Sequence, residues 1–213
     1  YRIYNEKYLG NDFTVDDLFL NPRVGINYKF NERQNIFISL ARVTREPRLK
    51  NYYDAAESSA GEIPQFELNP DGTFNFNSPL VKPETMNDFE LGTSFSNDYL
   101  VLNLNLYYML FENEIVKNGK VDRFGQPITG NVDQTTHIGA EVSAVVRLLN
   151  GLEIFGNASY SKNKITTGKY FLNDTESIDT SANSISGLPE FLSNTRIQFT
   201  LNNFYIHLNA KYV

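Results

Sequence analysis

Leucine alternates with other residues along "YLVLNLNLYYMLF", residues 99–111, and two of the intervening positions are asparagines. Successive side chains of a β-strand point to opposite faces, so the leucines share one face while Asn103 and Asn105 share the other. A fully buried strand does not carry amides between its leucines, and the exposed face of a soluble sheet usually carries charge. The segment therefore predicts a strand with one oily face and one polar, largely uncharged face.

The same period of two recurs in "RVGINYKF", "DFELGTSFS", "HIGAEVSAVVR" and "FYIHLNAKY", and more weakly in "NIFISLARV", "LEIFGNASYS" and "NTRIQFTLN". About eight strands can be counted in this way, and "YRIY" at the start is a candidate for a ninth. A strand of a soluble sandwich has one core face and explains any single segment equally well, but such strands run only about 5 or 6 residues. A tilted strand that crosses a bilayer needs about 9 to 11 residues. The pattern therefore favours an all-β, transmembrane antiparallel β-barrel.

Short and long connections alternate strictly between these segments. Residues 31–34, 96–98, 150–151 and 202–203 have the Asn, Asp and Gly content of tight hairpin turns. Residues 44–84, 117–134 and 166–189 are long and polar. Outer-membrane barrels have this asymmetry, with short periplasmic turns and long external loops. An interfacial aromatic girdle is predicted beside the short turns from Phe30, Phe37, Tyr99, Phe204 and Tyr205.

Composition removes several other classes of protein. The net charge of −6 and the pI near 5.0 argue against a nucleic-acid partner. Cysteine is absent, so neither disulfides nor cysteine metal ligands are expected. The sequence contains no run of 18 apolar residues, so no membrane-spanning helix is predicted. The mean hydropathy of −0.37 is that of a soluble protein, but the alternating faces of a barrel strand average to nearly the same value.

No catalytic site, metal site or cofactor is predicted. The two histidines, His137 and His207, lie far apart on polar faces, where a solvated histidine is commoner than a metal ligand. The chain lacks the GxSxG, HExxH and P-loop motifs, and "NPDGTFN" at 69–75 is better interpreted as a turn than as a calcium loop. We therefore expect that the protein is not an enzyme.

Four stretches together resemble TonB-dependent outer-membrane receptors. "NPRVGINYKFNERQNIFISLARVTREPRLKNYYDA" is similar to the family's "PR.G..Y" strand, tight turn and "R.P.L...Y" loop start, and "VKPETMNDFELGTSF" to its "L.PE....E.G" strand opening. "THIGAEVSAVVRLLNGLEIFGNASYSKNKI" resembles a "G.E.......GL...G..SY...K" hairpin, and "GLPEFLSNTRIQF" a "P.....N" strand opening. The matching residues are Lys82, Pro83, Glu84, Glu90, Gly92, Gly139, Glu141, Gly151, Leu152, Gly156, Ser159, Tyr160, Lys164, Pro189 and Asn194.

The resemblance implies a late portion of one barrel domain of about 22 strands, with the plug domain, the TonB box and the closing strands outside residues 1–213. It also implies a location in the bacterial outer membrane and import driven by the TonB complex through the plug. The expected ligand is a scarce nutrient, either a small molecule such as a ferric siderophore, haem or cobalamin, or a glycan. Lumen-facing Glu90, Glu141, Arg147 and Arg196 are expected to contact the plug, because charges inside a barrel need partners.

The first long connection carries a candidate ligand site. Arg45, Arg48, Tyr52 and Tyr53 combine cations with aromatic rings, which suits anionic chelates or stacking on sugars. The alternative is an ordinary loop whose arginines pair with Glu46 or with the barrel rim. Two other functions stay open at this point, a non-transporting barrel with an adhesive or structural role and a soluble carbohydrate-binding β-sandwich.

Overall fold

The computed structural model is built almost wholly from β-strands and describes residues 2–8, 11–53, 64–121, 127–171 and 177–213. Within these ranges the helical structure is one short 3₁₀ turn, Leu49–Tyr52, and no helix there is long and apolar enough to cross a membrane. The strands in chain order are β1 (Arg2–Tyr8), β2 (Asn11–Asp17), β3 (Arg23–Asn31), β4 (Gln34–Arg45), β5 (Phe66–Leu68), β6 (Phe74–Pro79), β7 (Glu84–Ser96), β8 (Leu100–Val121), β9 (Pro127–Leu149), β10 (Leu152–Thr167), β11 (Lys169–Phe171), β12 (Ser177–Asp179), β13 (Phe191–Leu201) and β14 (Phe204–Tyr212).

Eight of the strands form one antiparallel sheet in the order β14-β13-β10-β9-β8-β7-β4-β3. Strands that follow one another in the sheet's order also follow one another along the chain, so the connections alternate between the two ends of the sheet. The four tight turns therefore share one end, as predicted, and the long connections share the other. Gly151 and Asn202 have the positive φ angles, 85° and 51°, that such two-residue turns require.

The strand register separates two faces across the whole sheet. On one face, which we call the apolar face, a single row of directly opposed residues crosses seven strands and is almost wholly apolar. This row consists of Ile26, Ile38, Leu91, Leu106, Ala140, Tyr160 and Phe191. The even-numbered leucines of β8 lie on this face, and their neighbours Asn103 and Asn105 lie on the opposite face, which we call the polar face. The prediction of one oily and one polar face is confirmed.

The apolar face is open to its surroundings along its length. Ile26 is 73% exposed and Leu208, at the other side of the sheet, is 68% exposed. A contiguous apolar surface of this size is not stable in water. It is the surface that a lipid-facing barrel wall presents to hydrocarbon.

The long connections contain more regular structure than the sequence predicts. The connection at residues 117–134 is expected to be a polar loop, but its described parts, residues 117–121 and 127–134, extend β8 and β9 beyond the apolar region, with Glu114 opposite Val132 and Lys117 opposite Thr129. The sequence of this connection mixes polar and apolar residues without regular alternation, so the period of two that marks the other strands is weak there. The first connection contains the β5–β6 hairpin, whose turn includes Gly72 (φ 82°), and the last contains the β11–β12 hairpin.

The stretch "YRIY" is not a ninth strand of the large sheet among the described residues. Arg2–Tyr8 pairs with Asn11–Asp17 in a separate two-stranded sheet. Alternation alone predicts a strand but not its partner, and here the partner is the adjacent strand rather than the barrel wall.

The buried hydrophobic cluster of the described residues lies at the long-connection end and not under the large sheet. It joins β2 to the first long connection through packed aromatic rings, such as Phe13 against Phe66 with centroids 5.0 Å apart. The buried members are Phe13, Tyr52, Tyr53, Phe66 and Val81. This cluster gives the connections at that end a core of their own.

Candidate functional site

The polar face of the sheet carries one continuous row of hydrogen-bonding residues that crosses all eight strands. Side chains within the row are linked, since Asn103 donates to Ser143 Oγ at 3.2 Å and Asn194 donates to Asn157 Oδ1 at 3.0 Å. The row consists of Lys29, Asn35, Ser94, Asn103, Ser143, Asn157, Asn194 and Lys211. Between its terminal lysines the row is neutral, so this wall can be wetted without imposing a strong field on whatever lies against it.

Acidic side chains occupy the polar face nearer the long connections. Glu90 Oε2 lies 3.9 Å from Arg23 Nη2. Glu141 is directly opposite Asn105 and Ser159 in the strand register. The buried Asp88 Oδ1 and Asn105 Oδ1 atoms have no hydrogen-bond partner among the described residues. An unpaired buried oxygen costs about 1 to 3 kcal/mol, so this acidic wall can accept donors from a further group.

Two flat aromatic rings lie against glycines on the polar face. Phe37 is opposite Gly92, and Tyr107 is opposite Gly139. A Cβ atom at Gly92 would overlap the Phe37 ring, and one at Gly139 would overlap the Tyr107 ring and approach the Tyr160 carbonyl oxygen to 2.7 Å. The glycines therefore let the rings lie flat on the wall and leave space in front of them.

This placement corrects part of the predicted aromatic girdle. Phe37 is on the polar face, opposite Gly92, and Tyr205 also faces that side, where its hydroxyl donates to Gln198 Oε1 at 3.0 Å. Phe30 packs edge-on against Tyr28 on the apolar face, with centroids 5.0 Å apart. Proximity to a turn does not define the face, because neighbouring strand residues point in opposite directions.

The two predicted plug-contacting arginines already have partners within the wall. Arg147 Nε donates to Glu153 Oε1 at 3.0 Å, and Arg196 Nε donates to Asn209 Oδ1 at 2.8 Å. A guanidinium has five N–H donors, so each arginine retains donors for a further partner. The role of Arg147, Arg196, Glu90 and Glu141 in contacting a plug stays a prediction.

The four candidate ligand residues fall into three environments. Arg45 forms an ion pair with Glu84 Oε1 at 2.8 Å, and the buried Glu84 also accepts a hydrogen bond from the Ile115 backbone N–H at 3.0 Å. Tyr52 and Tyr53 are 1% and 5% exposed and belong to the aromatic cluster. Arg48 is exposed at the start of the 3₁₀ turn, where its backbone N–H donates to Asn51 Oδ1 at 3.0 Å. Ligand binding by this set stays a prediction, and its accessible members are Arg48 and Arg45, whose side chain is 53% exposed beside Glu84.

Asparagine side chains fasten the long connections to the end of the sheet. Asn21 both accepts from the Thr44 backbone N–H at 2.7 Å and donates to the Thr44 carbonyl at 3.2 Å. Asn131 makes the same double contact with the backbone of Lys82, at 2.7 and 2.9 Å. An amide can replace a strand neighbour in this way because it carries a donor and an acceptor side by side.

Sequence reasoning missed a buried polar group around His137. Its Nε2 lies 3.0 Å from Glu114 Oε2, which also accepts from the Thr135 hydroxyl, and its Nδ1 lies 2.8 Å from Asn163 Oδ1. Asn163 Nδ2 donates to Ser161 Oγ at 3.0 Å, which directs Oδ1 at the ring. Both ring nitrogens therefore face acceptors, the arrangement that fits a protonated imidazolium.

His137 is directly opposite Met109 of β8, at the long-connection border of the apolar stretch. The group joins β8, β9 and β10 where the long ribbon leaves the sheet. No sequence motif signals it, because its members are brought together only by strand pairing.

The whole chain matches a known family of barrels. The family model described as TonB dependent receptor-like, β-barrel, matches residues 1–213. No curated protein sequence matches the chain.

Solved structures of the same architecture superpose on it at low identity. The siderophore receptor PiuA from Acinetobacter baumannii has a TM-score of 0.62 and 18% identity over 95% of this chain and 26% of its own. The copper transporter OprC has a TM-score of 0.62 and 13% identity over 86% of this chain and 24% of its own. The ferric yersiniabactin uptake receptor FyuA from Yersinia pestis has a TM-score of 0.58 and 15% identity over 98% of this chain and 28% of its own.

The chain thus spans about a quarter of the length of these structures, 24% to 28%. The likeness to these structures shows the fold, and the family model covers every residue of the chain. The chain belongs to the TonB-dependent receptor β-barrel family.

Proposed function

We propose that this chain forms part of the wall of an outer-membrane receptor that imports a scarce nutrient with energy supplied through TonB. The observation that carries the proposal is the separation of faces across all eight strands of the sheet. An exposed apolar face requires hydrocarbon around it, and a polar face requires water or protein within it. Neither a soluble sandwich nor a sheet with a dry core needs both.

The acidic wall supports a domain inside the barrel. Glu90 and Glu141 stand on the polar face beside the unpaired buried oxygens of Asp88 and Asn105. Cationic and N–H donor groups of a plug would pair with these acceptors, and the remaining donors of Arg147 and Arg196 would pair with its acceptors. Such contacts couple the wall to a plug that is moved by energy from the inner membrane.

The loop end supports an anionic ligand. Arg48 offers an exposed guanidinium, while Arg45, Tyr52 and Tyr53 hold the first connection through the Glu84 ion pair and the aromatic cluster. Among the similar structures are a siderophore receptor and a copper transporter, which favours a chelated metal as the nutrient. Haem, cobalamin and glycans are the other classes to be compared with it.

The direct test is uptake by cells that produce the complete receptor. We expect one radiolabelled member of a panel of ferric catecholate, ferric hydroxamate, haem, cobalamin and oligosaccharide to accumulate, and accumulation to stop in matched cells without TonB. Arg48→Ala should reduce that uptake at unchanged surface level, with Arg33→Ala in a short turn as the matched control. Accumulation that is indifferent to TonB would refute energised import, and binding to cells without accumulation would favour an adhesive barrel.

The plug contact is tested by charge reversal. Glu90→Lys with Glu141→Lys should lower uptake while the barrel still assembles, because the wall would then repel the donors of the plug. Uptake equal to that of the unaltered receptor at equal surface level would remove these residues from the proposed contact.

A further inference from the structure

A carboxylate is turned onto the polar face at the base of the β8–β9 ribbon. Glu112 lies on the outward side of β8, and strict alternation would place Glu114 on that side too. Asn113, between them, has a positive φ of 55°, and its carbonyl accepts a hydrogen bond from Asn131 Nδ2 at 2.6 Å. Beyond this residue Glu114 meets His137 of the polar face. Non-glycine residues rarely adopt such a conformation, and where they do it is often at a functional site.

Three polar atoms converge where Glu114 reaches the polar face. His137 Nε2 lies 3.0 Å from Glu114 Oε2 and 3.4 Å from the Thr135 hydroxyl oxygen, and this hydroxyl also contacts the carboxylate. Two atoms bound to one Zn²⁺ at about 2.0 to 2.1 Å are about 2.9 to 3.4 Å apart, from octahedral to tetrahedral angles. The observed separations from the ring nitrogen therefore fit atoms that share one metal ion.

An amide fixes the other nitrogen of the ring. His137 Nδ1 lies 2.8 Å from Asn163 Oδ1, and Asn163 Nδ2 donates to Ser161 Oγ at 3.0 Å. The amide oxygen can only accept, so Nδ1 carries a hydrogen. In the neutral ring the Nε2 lone pair then faces the Glu114 carboxylate, and two acceptors 3.0 Å apart need a cation between them. That cation is a proton or a metal ion, and metal-bound histidines almost always donate from their second nitrogen in this way.

The group is shielded from water, and its donor atoms select the kind of ion. Thr135 is 0% exposed, the side chains of His137 and Glu114 are 10% and 14% exposed, and the Phe111 ring packs edge-on against the imidazole at 5.0 Å. In the described part of the chain no three His, Cys, Asp or Glu side chains gather as metal ligands, so the set is one imidazole, one carboxylate and one hydroxyl. Mg²⁺ and Ca²⁺ prefer oxygen atoms alone, whereas an imidazole suits Zn²⁺, Ni²⁺ and Cu²⁺.

We propose that His137, Glu114 and Thr135 bind one divalent transition-metal ion, such as Zn²⁺, as a resident ion of the wall. Asn163 is a positioning residue that holds the imidazole in the tautomer with a free Nε2. The ion joins β8 to β9 and, through Asn163, to β10 at the base of the ribbon. The inference goes beyond the proposed import, because this ion stays in the wall and is not the nutrient.

The experiment titrates the complete receptor, without an affinity tag, with Zn²⁺ in a calorimeter. We expect His137→Ala and Glu114→Gln each to bind one Zn²⁺ fewer than the unaltered receptor. Asn163→Ala should weaken the same site about 10- to 100-fold, as the loss of an outer partner of a ligating histidine does. Zn²⁺ replaces the proton between the ring and the carboxylate, so binding should release about one proton, which titrations in two buffers of different ionisation enthalpy measure.

The matched control is His207→Ala, which removes the other histidine of the chain from the polar face near the short turns and should leave Zn²⁺ binding unchanged. Heat-modifiable gel mobility reports folding, and Glu114→Gln and Asn163→Ala decide the outcome if His137→Ala does not fold. A folded Glu114→Gln variant that binds as many ions as the unaltered receptor, or Zn²⁺ binding without proton release, overturns the inference. Zn²⁺ binding as expected in a receptor that imports nothing would contradict the proposed function alone.

Discussion

Leu104 and Asn105 are adjacent in β8 but meet different surroundings, so arginine at each position tests the assignment of the two faces. Leu104 is 39% exposed on the apolar face, directly opposite Thr93 and Val142. Asn105 is on the polar face, directly opposite Gly92 and Glu141. We expect Leu104→Arg to destabilise the membrane-inserted barrel far more than Asn105→Arg.

The structure sets the size of the difference. From Leu100 to Leu110 the strand rises about 34 Å along its own axis, and a tilt of about 40° reduces this to about 26 Å along the membrane normal. Leu104 then lies about 3 Å from the middle of the apolar stretch. Arginine at the bilayer midplane costs about 2 to 4 kcal/mol.

The same substitution at Asn105 has little cost. The position lines a recess of about 640 Å³ on the polar face together with Glu141. An arginine there keeps water and faces the Glu141 carboxylate, an interaction worth about 0 to 1 kcal/mol at a solvated site. The two variants should therefore differ by at least about 2 kcal/mol in the free energy of unfolding.

The assay is heat-modifiable gel mobility of the complete receptor in lipid, with each variant titrated against denaturant. Midpoint and slope together give the change in the free energy of unfolding. Equal losses, or a larger loss for Asn105→Arg, would mean that the faces are reversed or that β8 does not cross a membrane.

Three further predictions concern the wall and the loop end. Gly92→Ala should lower the free energy of unfolding by about 1 to 3 kcal/mol, because the added Cβ would overlap the Phe37 ring. The control Gly156→Ala should have little effect, because the nearest atom to its added Cβ is 3.8 Å away. Equal denaturation midpoints for the two variants would contradict the flat-ring geometry. His137→Ala should increase the protease accessibility of the β8–β9 ribbon, because the contacts of the ring with Glu114 and Asn163 are lost; unchanged accessibility would refute this. Tyr52→Ala should destabilise the aromatic cluster by about 3 to 5 kcal/mol, whereas Arg48→Ala should leave thermal stability unchanged; a stable Tyr52→Ala variant would exclude a core role for that ring.

The candidate site was only partly accessible to sequence reasoning. Acidic residues on the polar face could be assigned because Glu90 and Glu141 alternate with apolar neighbours in their own strands. The pairing of Arg45 with Glu84 and the burial of Tyr52 could not be read in the same way, because Arg45 and Glu84 are joined across two strands and Tyr52 packs on Phe13 from a separate hairpin. A basic and aromatic loop start looks the same in sequence whether its rings meet a ligand or each other.

The sequence by itself determined the two faces, the number of strands in the large sheet and the end at which the tight turns lie. Those features depend on local rules, since side-chain direction alternates with every residue and a tight turn forces its two strands to be antiparallel neighbours. Only the tertiary structure decided the partner of Arg2–Tyr8, the extension of β8 and β9 beyond the apolar face, and the group that Glu114, His137 and Asn163 form on three strands. At and beyond the border of the apolar face, no regular alternation of apolar and polar surroundings imposes a period on the chain, so there the contacts between distant segments select the structure.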